Sequence, residues 1–409
     1  MKSYIQFWRR CIAIAFEGDW RYHAWLGFLA MVCLAGINAY AKQFALGLVT
    51  TGMSDQVSWG VYIANFTFLV GMAAAAVMLV IPVYIYKNEE LHDLVIFGEL
   101  LAVAAILMCL AFVTVDLGRP DRFWHLIPII GIFHFPGSML SWDVLVLNGY
   151  LLLNLHICGY TIYCRYCGRK PASWLYIPFV FISIFWAVTI HTVTAFLYVG
   201  LGGRPFWNSA VLGPRFIASA FTAGPAFIIL TLQVIRKSFD YRVPDRALLT
   251  LRSIVQISMP INMFLLANEL FNEFYTTNTN DASSRYLFLG LRGHHALVPW
   301  IWTAVAFNFI SMVLLMLPLS RRVSWLNVAC GLAVLGIWIE KGMGMVVPGF
   351  VPTPLGEIVE YTPSWNEVLI CLGIWSFGFF CYTLFLRMTV PILQGKLARS
   401  DVAPDAAPA

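Results

Sequence analysis

GVYIANFTFLVGMAAAAVMLVIPVYIY (60–86) contains no charged side chain. A helix that crosses a hydrocarbon layer about 30 Å thick needs about 20 apolar residues, so this stretch reads as one membrane crossing. Its neighbour LVIFGELLAVAAILMCLAFVTVD (94–116) repeats the pattern, with Glu99 the one charge before the final Asp116. Both runs are continuous rather than alternating, which excludes strands, and an open sheet edge could not be satisfied in lipid. Working outward gives ten crossings, at 24–50, 60–86, 94–116, 139–163, 174–200, 211–236, 249–275, 294–317, 322–340 and 365–388. The fold class expected is an all-α polytopic membrane protein.

The whole chain agrees with that stretch. Of its 409 residues, 60% are hydrophobic and 11% charged, with a mean hydropathy of +0.76, against about 25% charge in soluble domains. A soluble enzyme is excluded. The net charge of +5 is spread over segment ends, so nucleic-acid binding has no support. Residues 1–23 carry Arg9, Arg10, Glu17 and Asp19 with no small-residue cleavage site. They read as a retained segment, an interfacial helix using Phe7, Trp8 and Ile12. The membrane domain is expected over 24–390, and 391–409 reads as a disordered tail.

Ten crossings put both termini on one face. Lys and Arg count 17 on that face and 7 on the other, the latter including Arg215 and Lys341; the excess marks the cytoplasm. Both termini are therefore expected to be cytoplasmic. Loops on the opposite face are longer and rich in Gly, Pro, Trp and His, notably 117–137 and 201–214. Function and any docking partner are expected there.

Ionisable groups inside crossings are costly and mark pathways or sites. They are Glu99, Asp116, Asp143, His156, His191, Glu269, Glu273 and Glu340. For each alone, a buried structural residue is an equally good reading; together they suggest a protonatable cleft. Trp142 and Arg119 adjoin Asp143 and Asp116. An acid, an arginine and aromatic faces suit a ring with carbonyl oxygens, such as a quinone. Its reduced form releases two protons with two electrons on oxidation and so needs proton acceptors. His156 and His191 would lie about 10 Å apart in depth at 1.5 Å per residue, too far for one flat haem. Nine cysteines offer a single Cys-x-x-Cys, Cys164 and Cys167, without a second pair to complete a tetrahedral site. Neither haem, iron–sulfur cluster nor other metal is expected in the chain, so electrons must pass to a partner.

These residues resemble the NrfD/PsrC family of integral membrane subunits, in its ten-helix branch. The resemblance is carried by Thr51–Gly60, Asp116-Leu-Gly-Arg-Pro120, Ser141-Trp-Asp143, Ile190-His-Thr-Val193, Gly203-Arg-Pro-Phe-Trp207, Asn272-Glu-Phe-Tyr275, Trp338-Ile-Glu340 and Pro363-Ser-Trp365. It implies two four-helix bundles, at approximately 60–200 and 211–340, flanked by the first and last helices. It also implies a prokaryotic inner membrane, a menaquinone or ubiquinone bound as exchangeable substrate near the outer face, and a periplasmic four-cluster iron–sulfur subunit as partner. Further redox subunits of multihaem cytochrome c, molybdopterin or hydrogenase type are implied beyond it. Carried over residue by residue, the Trp-Asp at 142–143 takes the family's acidic quinone-pocket position, Glu99 an acid in the proton path and His191 the fifth-span His. With these, the residues themselves suggest a catalytic set of Asp143, His191 and Asp116, with Arg119 paired to Asp116, quinone binding by Arg119, Trp142 and His134, and a proton path through Glu99, Glu273 and Glu340. Two departures stand out: Asp116-Leu117 replaces the His that precedes Gly-Arg-Pro in alternative-complex-III-like members, and Leu197 replaces an acid after the fifth-span His. A secondary transporter with a midplane site and a passive membrane anchor are the competing readings.

Overall fold

The structure is a computed structural model that describes residues 2–127, 129–275 and 281–399. Positions 276–280 of the loop expected at 276–293, and 400–409 of the expected tail, lie outside the described residues. Among the described residues, ten helices are long and apolar enough to cross a membrane: Trp20–Leu46, Val61–Ile85, Glu90–Asp116, Met139–Tyr166, Ser173–Val199, Leu212–Ser238, Asp245–Tyr275, Val298–Met316, Val323–Phe350 and Trp365–Leu393. They are called the first to tenth spans. No strand occurs among the described residues.

Spans two to five form one four-helix bundle and spans six to nine a second, while the first and tenth pack on each other outside the first bundle. The sixth span packs against the second and fifth and the ninth against the second, closing a seam between the bundles. Burial follows this plan. The most apolar windows of the second and third spans are 78% and 83% buried, against 22% for the first, so the first span lies on the outside of the helix assembly.

Small residues set the closest approaches, as expected where lipid removes the hydrophobic drive between helices. A Cβ on Gly36 of the first span would stand 2.6 Å from Gly373 Cα of the tenth, and one on Gly224 of the sixth 2.8 Å from Ala75 Cβ of the second. Where Ala75 meets Gly224, the second span narrows to a 3-10 turn at Ala74–Ala76, then widens to a π turn at Ile81–Ile85 around Pro82. The proline has no N–H to give to the α-helical ladder. Asn65 ties three spans together. Its Oδ1 accepts from Trp338 Nε1 at 3.0 Å and Trp375 Nε1 at 2.9 Å.

Three expectations need correction. The ninth span does not end at Glu340: helix continues to Lys341, breaks at Gly342, resumes at Met343–Val346 and ends in a 3-10 turn at Val347–Phe350. Gly342, Gly344 and Pro348 gave this stretch the look of a loop, yet nearly all of it is buried. Trp207 holds it, donating from Nε1 to Met345 O at 2.9 Å, and Gly349 leaves room for the indole. Arg215 and Lys341 are accordingly interior residues, at 5% and 2% exposure, so five of the seven basic residues remain on the loop face. Finally, 391–399 is ordered: helix reaches Leu393 and Arg399 N donates to Tyr166 O at 2.9 Å. At the other end Lys2–Ala15 is helical, with Phe7 buried against Tyr163 and Tyr166 while Trp8 and Ile12 point outward.

Candidate functional site

The fifth span carries His191, Thr194 and Tyr198 on one face, by the three-to-four-residue spacing of a helix, and all three are buried. Trp186 fixes that face by donating from Nε1 to Val146 O at 2.8 Å, its ring seated against Gly149 of the fourth span. Thr194 Oγ1 then donates to Asp143 Oδ1 at 3.1 Å. Asp143 is 2% exposed, so its carboxyl sits inside the first bundle. His191 donates from Nδ1 to Ala187 O at 2.7 Å, because a carbonyl can only accept. Its Nε2, left with the lone pair, is buried without a hydrogen-bond partner. Above, Tyr198 OH and Thr67 Oγ1 are 2.5 Å apart, and Trp59, Trp207 and Phe350 close over them on the loop face.

The bundle interior continues toward the terminal face along the fourth span. Tyr150 stands two turns from Asp143, its hydroxyl buried and unpartnered. Glu99, 2% exposed on the third span, lies within electrostatic reach of Tyr150, Tyr84 and Cys158. Asp143, His191, Tyr150 and Glu99 are therefore all buried in the interior of one bundle.

The other expected residues disperse. Asp116 ends the third span with Oδ1 buried and unpartnered, but Arg119 does not pair with it. The chain extends at Leu117 and turns at Pro120, which returns Asp121 to the guanidinium in a two-point contact at 3.0 and 2.9 Å. Exposed Arg119 holds the Asp121 carboxyl below its usual range, chiefly through that side-chain hydrogen bond. Trp142 faces away from Asp143, as successive helical residues must. It packs on Phe135 at 4.4 Å and donates to Pro136 O. His134 is exposed on the same loop. His156 lies on the far side of the fourth span with Nε2 against Leu175 O, beside a different groove from His191.

Glu273 and Glu340 belong to a separate cluster in the second bundle. Arg215 Nη1 pairs with Glu269 and its Nη2 with Glu340 Oε1 at 2.9 Å, and Asn308 donates to Glu340 Oε2 at 2.8 Å. Gly336 makes room for that amide. A small cavity is lined by Arg215, Glu269, Glu273, Glu340 and Ser284. Sequence reading missed Arg215 and Lys341 as interior groups, and Glu367 altogether. The signal for Arg215 was its place in an otherwise uncharged run; for Glu367 it was the Ser364 capping box, which the structure shows complete. Glu367 also accepts from Gly52 N and Tyr361 OH, both at 2.6 Å. Among the described residues no group of three or more His, Cys, Asp or Glu is placed to hold a metal ion.

Two helical bundles with buried acids, a free imidazole nitrogen and orphaned hydroxyls define a polytopic membrane protein built around protonatable groups. The stretch 49–349 matches the family described as "Polysulphide reductase, NrfD", and the chain belongs to it. A protein of Halobacterium salinarum, provisionally named as a membrane subunit of dimethyl sulfoxide reductase, is 26% identical over 94% of this chain and 93% of its own length. The "Hdr-like menaquinol oxidoreductase integral membrane subunit" of Archaeoglobus fulgidus is 22% identical over 91% and 94%. An Escherichia coli protein provisionally named Ni/Fe-hydrogenase 2 b-type cytochrome subunit is 23% identical over 90% and 91%. The relatives are thus membrane subunits of oxidoreductases.

Proposed function

We propose that this chain is the quinone-reactive subunit of a respiratory oxidoreductase, working in a prokaryotic inner membrane with both termini in the cytoplasm. The observation that carries this reading is the buried Asp143 carboxyl, held by Thr194 above a His191 whose Nε2 is free. A quinol gives up its protons as its electrons leave, so the site must offer buried acceptors; Asp143 and His191 are such acceptors, and the unpartnered Asp116 Oδ1 and Tyr150 OH extend the set. The relative named a menaquinol oxidoreductase subunit supports a menaquinone. Thr194 orients the Asp143 carboxyl. Glu99 continues the interior toward the terminal face, and protons exchanged there give the site a route to the cytoplasm.

The chain needs a redox partner, and the loop face suits one. Ile129, Ile130 and Ile132 are 102%, 66% and 70% exposed within loop 117–137, and a cluster of exposed apolar residues marks a docking surface. A periplasmic iron–sulfur subunit seated there would stand at the Asp143 end of the bundle. Asp143→Asn in the assembled complex tests the reading: quinol-dependent turnover should fall about 10²-fold or more, the usual worth of positioned proton transfer. Near-normal turnover would overturn the site, and with intact assembly it would favour the passive anchor. One observation favours transport instead, the helix break at Gly342 beside a charged cluster. Substrate uptake by proteoliposomes lacking any redox partner would establish that alternative.

A further inference from the structure

We infer that Lys341 is a proton-carrying site that joins the two bundles, receiving protons from the His191 side and passing them to the Glu340–Arg215–Glu269 cluster. The inference rests on the quinone reading of the first bundle and extends it across the seam.

Lys341 is 2% exposed and its Nζ has no hydrogen-bond partner; its near neighbour is the Phe216 ring, 4.9 Å from Nζ to the centroid. A cation there for charge balance alone would be paired, since an unpaired buried ammonium costs several kcal/mol. The carboxylate beside it in sequence has other partners: Glu340 gives Oε1 to Arg215 and Oε2 to Asn308 and Asn262. What Lys341 does share is space. A narrow crevice at the seam is lined by Lys341 from the ninth span, His191 from the fifth, Thr67 from the second and Ser219 from the sixth. Two residues that each hold a buried, unpartnered nitrogen thus line one gap together with two hydroxyl-bearing residues, the kind of polar partners a bridging water needs.

The backbone supports the same role. Lys341 is the last residue before the break at Gly342, at the helix C-terminus, where the partial negative charge favours a cation. Titratable and charged groups reach it from three spans: His191 of the fifth lines the same crevice, and Arg215 of the sixth and Glu340 of its own lie within electrostatic reach, Arg215 leading on to Glu269 of the seventh. Proton transfer here makes and breaks only N–H and O–H bonds: Nζ takes one proton from the crevice water, which His191 replenishes, and yields one to the acidic cluster. No electron moves in the second bundle.

The test uses the whole complex in proteoliposomes, with quinol oxidation and proton movement followed together. Lys341→Gln and Lys341→Arg should keep turnover with uncoupler within about twofold while losing the protons moved beyond those that quinol chemistry releases. Arginine preserves charge but does not deprotonate in proteins, so recovery of those protons in Lys341→Arg would overturn the inference, as would an undiminished yield in Lys341→Gln or no surplus in the natural protein. Ala220→Val fills the crevice while leaving both nitrogens in place, and serves if the lysine variants do not assemble; the same loss is expected, and a full yield overturns the inference. Turnover of Asp143→Asn judges the quinone site separately.

Discussion

Arg215 is the residue on which the second bundle depends electrostatically. Its guanidinium is 6% exposed and faces two carboxylates that are 7% and 1% exposed, so removing it strands buried negative charge. Breaking such a pair from one side costs about 3–5 kcal/mol. Arg215→Met should therefore lower the thermal midpoint sharply or prevent assembly, as read by fluorescence-detected size exclusion during heating; an unchanged midpoint would mean the carboxylates are already neutral. Glu99→Gln is a milder change in the first bundle. It should reduce proton yield per turnover more than turnover itself, measured with and without uncoupler. Arg119 illustrates the limit of reading residues from sequence. Its nearness to Asp116 in the chain suggested a pair, but the turn at Pro120 brings Asp121 closer, and no pattern of residue types records which acid a loop returns.

Among elements, the helix contacts governed by glycine are the most exposed to substitution. Gly373→Val would place a branched side chain where the tenth span meets Gly36 of the first, whose Cα would stand 2.7 Å from the new Cβ. Overpacking of this kind costs about 1–3 kcal/mol, and should appear as a lower thermal midpoint and easier detachment of the first span in limited proteolysis. The spans were legible because a run such as 60–86 has no explanation outside lipid. The break at Gly342 was not. Glycine and proline mark loops and interrupted helices alike, and only the Trp207 indole lying over Gly349 separates the two. The Arg215, Glu269 and Glu340 cluster was hidden for another reason: its members come from three spans, and their meeting depends on how the second bundle packs.

For the whole molecule, the charge count and the loop character predict one arrangement, with the basic face in the cytoplasm and the partner opposite. The correction of Arg215 and Lys341 to the interior sharpens the asymmetry, leaving five basic residues on the loop face against the same 17. A tag at the C-terminus should be inaccessible to impermeant reagents in intact cells. Ile130→Asp with Ile132→Asp should reduce co-purification of the redox partner several-fold while the chain still inserts; undiminished recovery would move the docking surface elsewhere. Asn65 has a consequence for biogenesis. Its amide enters the membrane with the second span, but one of the two indoles its oxygen serves lies 310 residues further on, in the tenth. Throughout translation that oxygen stays under-satisfied in a medium that offers no water. A helix made late thus completes the hydrogen bonding of one made some 310 residues earlier, and a chain truncated before Trp375 would display an unfinished polar group to the membrane's quality-control proteases.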